Sequence, residues 1–147
     1  MKRVFEDLER PQRQDETIDL DRLMPWINKH VKEAHGVPAI TQFSGGASNW
    51  TYRLQFENKD LILRRAPTGK KAAGAHNMPR EYNLQKKIKP HFPYVPDMIA
   101  LCEDDEILGS SFYLMERLEG IILRKNIPSD LEWDKDTVRN ICTSFWD

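Results

Sequence analysis

Gly45 and Gly46 stand side by side in the run FSGGASN, residues 43–49. Neither carries a Cβ, so the backbone there can approach a ligand closely and adopt positive φ. Successive N–H groups in such a turn can converge on phosphate oxygens. Ser48 and Asn49 add side-chain donors. Taken alone, the same residues also suit an ordinary glycine turn between two strands. Further on, LILRR at 61–65 ends in two cations. Strand side chains alternate in direction, so Arg64 shares a face with Ile62, and Arg65 with Leu61 and Leu63. Only one of the two can point beneath the glycine turn. Glu81 follows in a segment of helical pattern. A carboxylate there can hold an inward cation by an ion pair and leave it free to contact phosphate. Read singly, each of these is also an ordinary exposed charge. The last stretch is FYLMERLEG, 112–120, where an apolar run opens into Glu116, Arg117 and Gly120. It has the form of a hinge between two lobes, with backbone groups free for a purine edge; it equally suits an edge strand with a polar end.

These residues need elements to position them. Residues 1–16 are mostly charged and carry Pro11, which predicts a mobile arm with at most one helical turn. Asp19 is a candidate N-cap, and Leu20, Leu23, Ile27 and Val31 recur at helical steps until Gly36 and Pro38. AITQF, TYRLQF and LILRR then read as an antiparallel meander over 39–65, with the glycine pair between its first two strands. Residues 68–76 are flexible by composition. Asn77 can cap a helix with Pro79 in its first turn, running through REYNLQKKIK and carrying Glu81. Pro90, Pro93 and Pro96 end it. DMIALCE and SSFYLMERL read as two more strands joined by an acidic turn at 103–106. Ser129 and Glu132 have capping-box spacing, ahead of helical positions Leu131, Val138, Ile141, Cys142 and Phe145. The expected class is α+β: a five-stranded antiparallel sheet with one long helix between its third and fourth strands.

Composition excludes several alternatives. A formal net charge of -1 over 147 residues gives no broad basic footprint for nucleic acid. Cys102 and Cys142 form no CxxC, and His30, His35, His76 and His91 show no metal-ligand spacing. No apolar run approaches the roughly 20 residues of a membrane helix, and no signal core opens the chain. The cytosol or an organelle matrix, mitochondrial or peroxisomal, is the expected compartment.

In combination the motifs say more than they do singly. FSGGASNWTYRL, LILRRAPTG, REYNLQ and LGSSFYLMERLEG, in this order, resemble the protein-kinase-like aminoglycoside phosphotransferase (APH) and choline kinase superfamily. Within it they resemble the kinase-like domains related to those fused to acyl-CoA dehydrogenases. The resemblance covers residues from about 18 to 147. It implies a kinase-like N-terminal lobe whose cofactor is ATP. By the same resemblance Gly45, Gly46, Ser48 and Asn49 form the nucleotide loop, Arg64 is the strand cation, and Glu81 is its helix partner. Met115, Glu116 and Arg117, with Leu118, match the hinge that receives adenine. Many members have lysine at the strand position; arginine would grip phosphate as a fork. Trp50 stands where the family pattern has a small residue or proline. The implied partners are a nucleotide and, in the intact two-lobe protein, a small hydroxyl substrate of hydroxyacyl-CoA, aminoglycoside or choline-like kind, with Mg²⁺ bound only there.

Members also carry an HGD catalytic loop with its base Asp and an Asn, then a Mg²⁺-binding Asp. No His-Gly-Asp occurs in this sequence. The expectation is therefore a flexible arm over 1–17, a nucleotide-binding lobe over 18–120, and a connector with the first helices of a second lobe over 121–147. No catalytic or metal-binding residues are assigned, and the chain alone is expected not to transfer phosphate. An apolar face left toward a second lobe would favour dimerisation. Lys70 and Lys71 read as solvated loop charges. The alternatives are a non-catalytic kinase-like binding module and, third, an unrelated α+β domain with a structural glycine turn.

Overall fold

The computed structural model describes residues 9–44, 49–67, 76–120, 133–144 and 146. The chain divides into two compact units, Asp7–Glu119 and a second that includes Gly120–Asp147. In the first, strands β1 (Glu9–Arg10), β2 (Ala39–Phe43), β3 (Trp50–Gln55), β4 (Asp60–Arg65), β5 (Met98–Cys102) and β6 (Phe112–Glu116) form one sheet in the order β1-β2-β3-β4-β6-β5. Every pairing is antiparallel. Helix α1 (Leu20–His30) precedes β2, α2 (Met78–Ile88) joins β4 to β5, and the one-turn α3 (Asp105–Leu108) joins β5 to β6. The α+β class and the long helix between the meander and the last two strands are as expected.

Strand alternation sorts the core into two layers. Leu61 and Leu63 of β4, Tyr52 and Leu54 of β3, and Phe112 and Leu114 of β6 lie on one face, fully buried with Leu23 and Ile27 of α1. Each such apolar side chain contributes about 1.5–3 kcal/mol by leaving water. On the other face Met78 and Tyr82 of α2 pack with Ala66 and Tyr113, and Met115 joins this cluster at its edge. Arg64 therefore emerges on the α2 face, opposite Tyr113 in register, while Arg65 enters the α1 face beside Phe112.

Both helices start as their caps dictate. The Asp19 carboxylate accepts the Arg22 N–H at 3.2 Å, and the Asn77 side chain accepts the Arg80 N–H at 2.8 Å. Pro79 lies in the first turn of α2, where its missing N–H would have had no intrahelical partner.

Two expectations are corrected. The sheet has six strands rather than five, because Glu9–Arg10 of the supposed mobile arm pair with β2. The arm is held further along: Arg13 N–H donates to Gln42 Oε1 at 3.1 Å, and the Glu16 carbonyl accepts from Tyr52 at 2.7 Å and from Arg65 at 2.8 Å. The segment's charge suggested solvation, but its backbone groups are bonded to side chains on the sheet. The acidic stretch at 103–106 is likewise not a simple hairpin turn. Asp104 caps α3 by accepting the Glu106 N–H at 2.9 Å, and Gly109 ends it at φ 76° in the left-handed region.

In the second unit, α4 (Lys135–Thr143) is capped by Asp134, which accepts the Thr137 N–H at 2.7 Å. That bond holds the Asp134 carboxyl below its ordinary pKa. Val138 and Ile141 of α4 are exposed. The predicted capping pair Ser129 and Glu132, with Leu131 and Phe145, lies outside the described residues.

Candidate functional site

On the α2 face, β4 and α2 bring Arg64 and Glu81 together: Arg64 Nη2 stands 3.6 Å from Glu81 Oε2. The two side chains are 32% and 36% exposed, so the pair is half-open to solvent. Arg64 Nε is inaccessible to water and has no hydrogen-bond partner among the described residues. A guanidinium one-third open to solvent, next to a carboxylate that offsets only part of its charge, suits an anion with oxygens to spare.

Glu81 is held by more than Arg64. Its Oε1 accepts from Asn49 Nδ2 at 3.0 Å, and its Oε2 accepts from the Tyr113 hydroxyl at 3.1 Å. Tyr113 in turn accepts from Gln85 Nε2 at 3.2 Å, one helical turn beyond Glu81. Burial is the main reason the Tyr113 phenol is pushed up to about 12, so it stays protonated and remains a donor. Asn49 is 6% exposed, and its Oδ1 lies 2.8 Å from His76 Nδ1. A carboxylate only accepts, so the amide nitrogen must face Glu81 and the amide oxygen must face His76; Nδ1 then carries the hydrogen. His76 sits just before the α2 cap with φ 60°.

The hinge candidates diverge. Met115 packs at the edge of the Tyr82–Tyr113 cluster. Glu116 is bound to Asp97 twice: its N–H donates to the Asp97 carbonyl at 2.9 Å, and its Oε2 accepts the Asp97 N–H at 3.1 Å. Arg117 donates to Glu119 at 2.8 Å and lies 3.7 Å from Asp60 and 3.9 Å from Glu9. Leu118 is exposed. Gly45, Gly46, Ser48, Lys70 and Lys71 lie outside the described residues.

Arg65 turns the opposite way. Only 3% exposed, it donates to the Leu108 carbonyl at 3.0 Å and the Glu16 carbonyl at 2.8 Å, and its two nearer nitrogens reach the Tyr52 hydroxyl at 3.2 and 3.3 Å. Its guanidinium stacks 4.7 Å from the Trp50 ring centroid. The bulky residue at position 50 thus covers a buried cation. Burial pushes the Tyr52 phenol up, with Arg65 opposing.

Sequence reasoning missed Tyr113, Gln85 and His76. Alternation in FYLM places Tyr113 with Met115 on the α2 face, and Gln85 lies four positions after Glu81, so these two left a signal. His76 left none, because its partner is 27 positions away.

Among the described residues no group of three or more His, Cys, Asp or Glu is placed to hold a metal ion, and no helix is long and apolar enough to cross a membrane.

Comparison with known proteins bears on the family and the fold. The phosphotransferase enzyme family APH matches residues 39–145. Acyl-CoA dehydrogenase family member 10 of Mus musculus is 36% identical over 117 residues, covering 78% of this chain and 11% of that protein. Acyl-CoA dehydrogenase family member 11 of Homo sapiens is 34% identical over 112 residues, 73% of this chain and 14% of that protein. The chain therefore spans only a small part of the length of these relatives. A solved structure from Ralstonia eutropha, of a proposed aminoglycoside phosphotransferase, superposes with a TM-score of 0.63 at 30% identity over 74% of this chain and 30% of that one. With matching sequence and a kinase-like α+β fold, the chain belongs to the APH phosphotransferase family.

Proposed function

We propose that this chain is the nucleotide-binding lobe of an ATP-dependent phosphotransferase acting on a hydroxyl of a small molecule. The observation that carries this reading is the Arg64–Glu81 pair across β4 and α2, with about a third of the Arg64 side chain open to solvent. Arg64 would hold phosphate oxygens, and Glu81 would keep the guanidinium turned toward them. Gly45, Gly46 and Ser48 would offer N–H and hydroxyl donors to the same phosphates, with Asn49 ordering the end of that run. Met115 would border the adenine. The Glu116 N–H is engaged by Asp97, so the backbone of Arg117 and Leu118 would meet the purine edge.

When bound, the nucleotide supplies the γ-phosphoryl group, and the acceptor is of hydroxyacyl-CoA, aminoglycoside or choline-like kind. The family resemblance ties the base Asp to an HGD motif, and the Mg²⁺ ligand to an Asp that follows it; no HGD motif occurs in these residues. The lobe thus binds nucleotide and leaves transfer to a second lobe. That missing motif is also what favours the second reading, a kinase-like module that binds without turnover.

Calorimetric titration of ATP·Mg²⁺ into the chain tests the proposal. Arg64→Ala and Gly46→Val are each expected to weaken binding at least about tenfold, the scale of one charge-assisted hydrogen bond. Binding that survives both substitutions unchanged overturns it. Transfer assays on the full-length protein with hydroxyl acceptors separate the two readings.

A further inference from the structure

We infer that Asn49 is a positioning residue for the phosphate-facing cation, acting on Arg64 through Glu81 rather than touching the nucleotide itself. The role assigned to Arg64 rests on the function proposed above; the Asn49–Glu81 link stands on geometry alone.

Three observations carry it. First, Asn49 is buried, with its amide engaged at both its nitrogen and its oxygen. It is 6% exposed, its Nδ2 donates to Glu81 Oε1 at 3.0 Å, and its Oδ1 meets His76 Nδ1 at 2.8 Å. An amide buried with both ends satisfied would leave orphaned groups if it turned toward a phosphate. Second, the contact to Arg64 is the loosest of the three made by Glu81, at 3.6 Å against 3.0 Å from Asn49 and 3.1 Å from Tyr113. Two firm donors, one just before β3 and one on β6, fix the carboxylate, and the carboxylate then fixes the guanidinium. Third, His76 adopts φ 60°, a conformation that non-glycine residues enter at some cost. That turn sets the imidazole on Asn49 immediately before α2 begins at Met78. Asn49 thereby ties the start of β3 to the entry of α2 and to its first turn at once. The register of helix against sheet, on which the Arg64–Glu81 distance depends, is thus set at the N-terminal end of α2 by this amide, alongside the Tyr113 bonds to Glu81 and Gln85.

The hydrogen bond is directional, so it can be reversed. Asn49→Asp removes the donor and sets a carboxylate against that of Glu81, while Glu81→Gln supplies an amide that can donate back to the carboxylate introduced at position 49. In the full chain without nucleotide, Asn49→Asp is expected to lower the melting temperature more than Asn49→Ala. The double variant Asn49→Asp/Glu81→Gln is expected to recover most of that loss. Additive effects of the two substitutions overturn the link, and this arm requires no ligand.

The second arm measures ATP·Mg²⁺ affinity by calorimetry. Asn49→Ala is expected to weaken binding about fivefold to tenfold in the native background and to have no further effect once Glu81→Gln is present. An equal loss in both backgrounds shows direct contact between Asn49 and the nucleotide and overturns the inference. If the native chain binds no nucleotide, the proposed function fails, while the unfolding arm still decides whether Asn49 and Glu81 are coupled.

Discussion

Arg64 and Arg65 are adjacent and chemically identical, yet their surroundings give them different work. Arg64 is one-third exposed beside Glu81, and an ion pair open to water contributes little to stability, about 0–1 kcal/mol. Arg65 is buried and satisfies two backbone carbonyls and a phenol. Removing it strands those groups, at about 3 kcal/mol or more. Arg65→Ala is therefore expected to shift the urea midpoint strongly, whereas Arg64→Ala leaves it nearly unchanged and loses nucleotide affinity instead.

Tyr113 gives a pH signature at the same scale. Its folded pKa is about 12 against an ordinary 10.0, so the folded state favours the neutral phenol. Below pH 10 both states are protonated and the contribution is fully present. Between those two values the unfolded chain loses its proton first, so stability falls by about 1.4 kcal/mol per pH unit and levels off above. Denaturant titrations across this alkaline range should show the slope in the native protein and a shallower one in Tyr113→Phe. The remainder reflects Tyr52, which burial shifts in the same direction.

Among elements, the N-terminal segment departs most from its composition. MKRVFEDLERPQRQDE has too few apolar residues to build a core. It nevertheless adds β1 to the sheet edge and buries Glu16, whose carboxylate accepts from Gln42 Nε2 and pairs with Arg13 at 3.0 Å. Glu9 accepts from Thr41 at 2.8 Å and from Arg53 at 2.9 Å. Its polar residues thus complete bonds that the sheet already offers. Deleting residues 1–16 leaves Arg65, Tyr52 and Gln42 without these partners. Equilibrium unfolding of the truncated chain is expected to show a loss larger than that of any single exposed charge substitution. Stability within about 1 kcal/mol of the full chain would mean that the segment merely rests on the sheet.

Across the whole molecule, family membership and fold agree, and chemistry is the open matter. The chain covers 11% and 14% of the acyl-CoA dehydrogenase relatives. Its own residues pair a strand cation, Arg64, with a helix carboxylate, Glu81, and include no HGD motif. Incubated with ATP, Mg²⁺ and a panel of small hydroxyl acceptors, it is expected to release no phosphorylated product. Product above background would place a transfer site within these residues.

Periodicity and caps made the framework legible before any coordinates. Asp19 and Asn77 start their helices, AITQF is β2, and alternation in LILRR already set Arg64 and Arg65 on opposite faces. These signals are local, because hydrogen-bonding geometry within an element repeats over a few residues. What local periodicity left undecided was which face of β4 would meet α2. It also left hidden the sixth strand and the junction of Asn49, His76, Glu81 and Tyr113. Those partners lie 27 to 32 positions apart. Bonds of that span form only when the sheet and helix have packed, so the tertiary structure alone decided what holds the Glu81 carboxylate in place, whereas its pairing with Arg64 was already implied by the family resemblance.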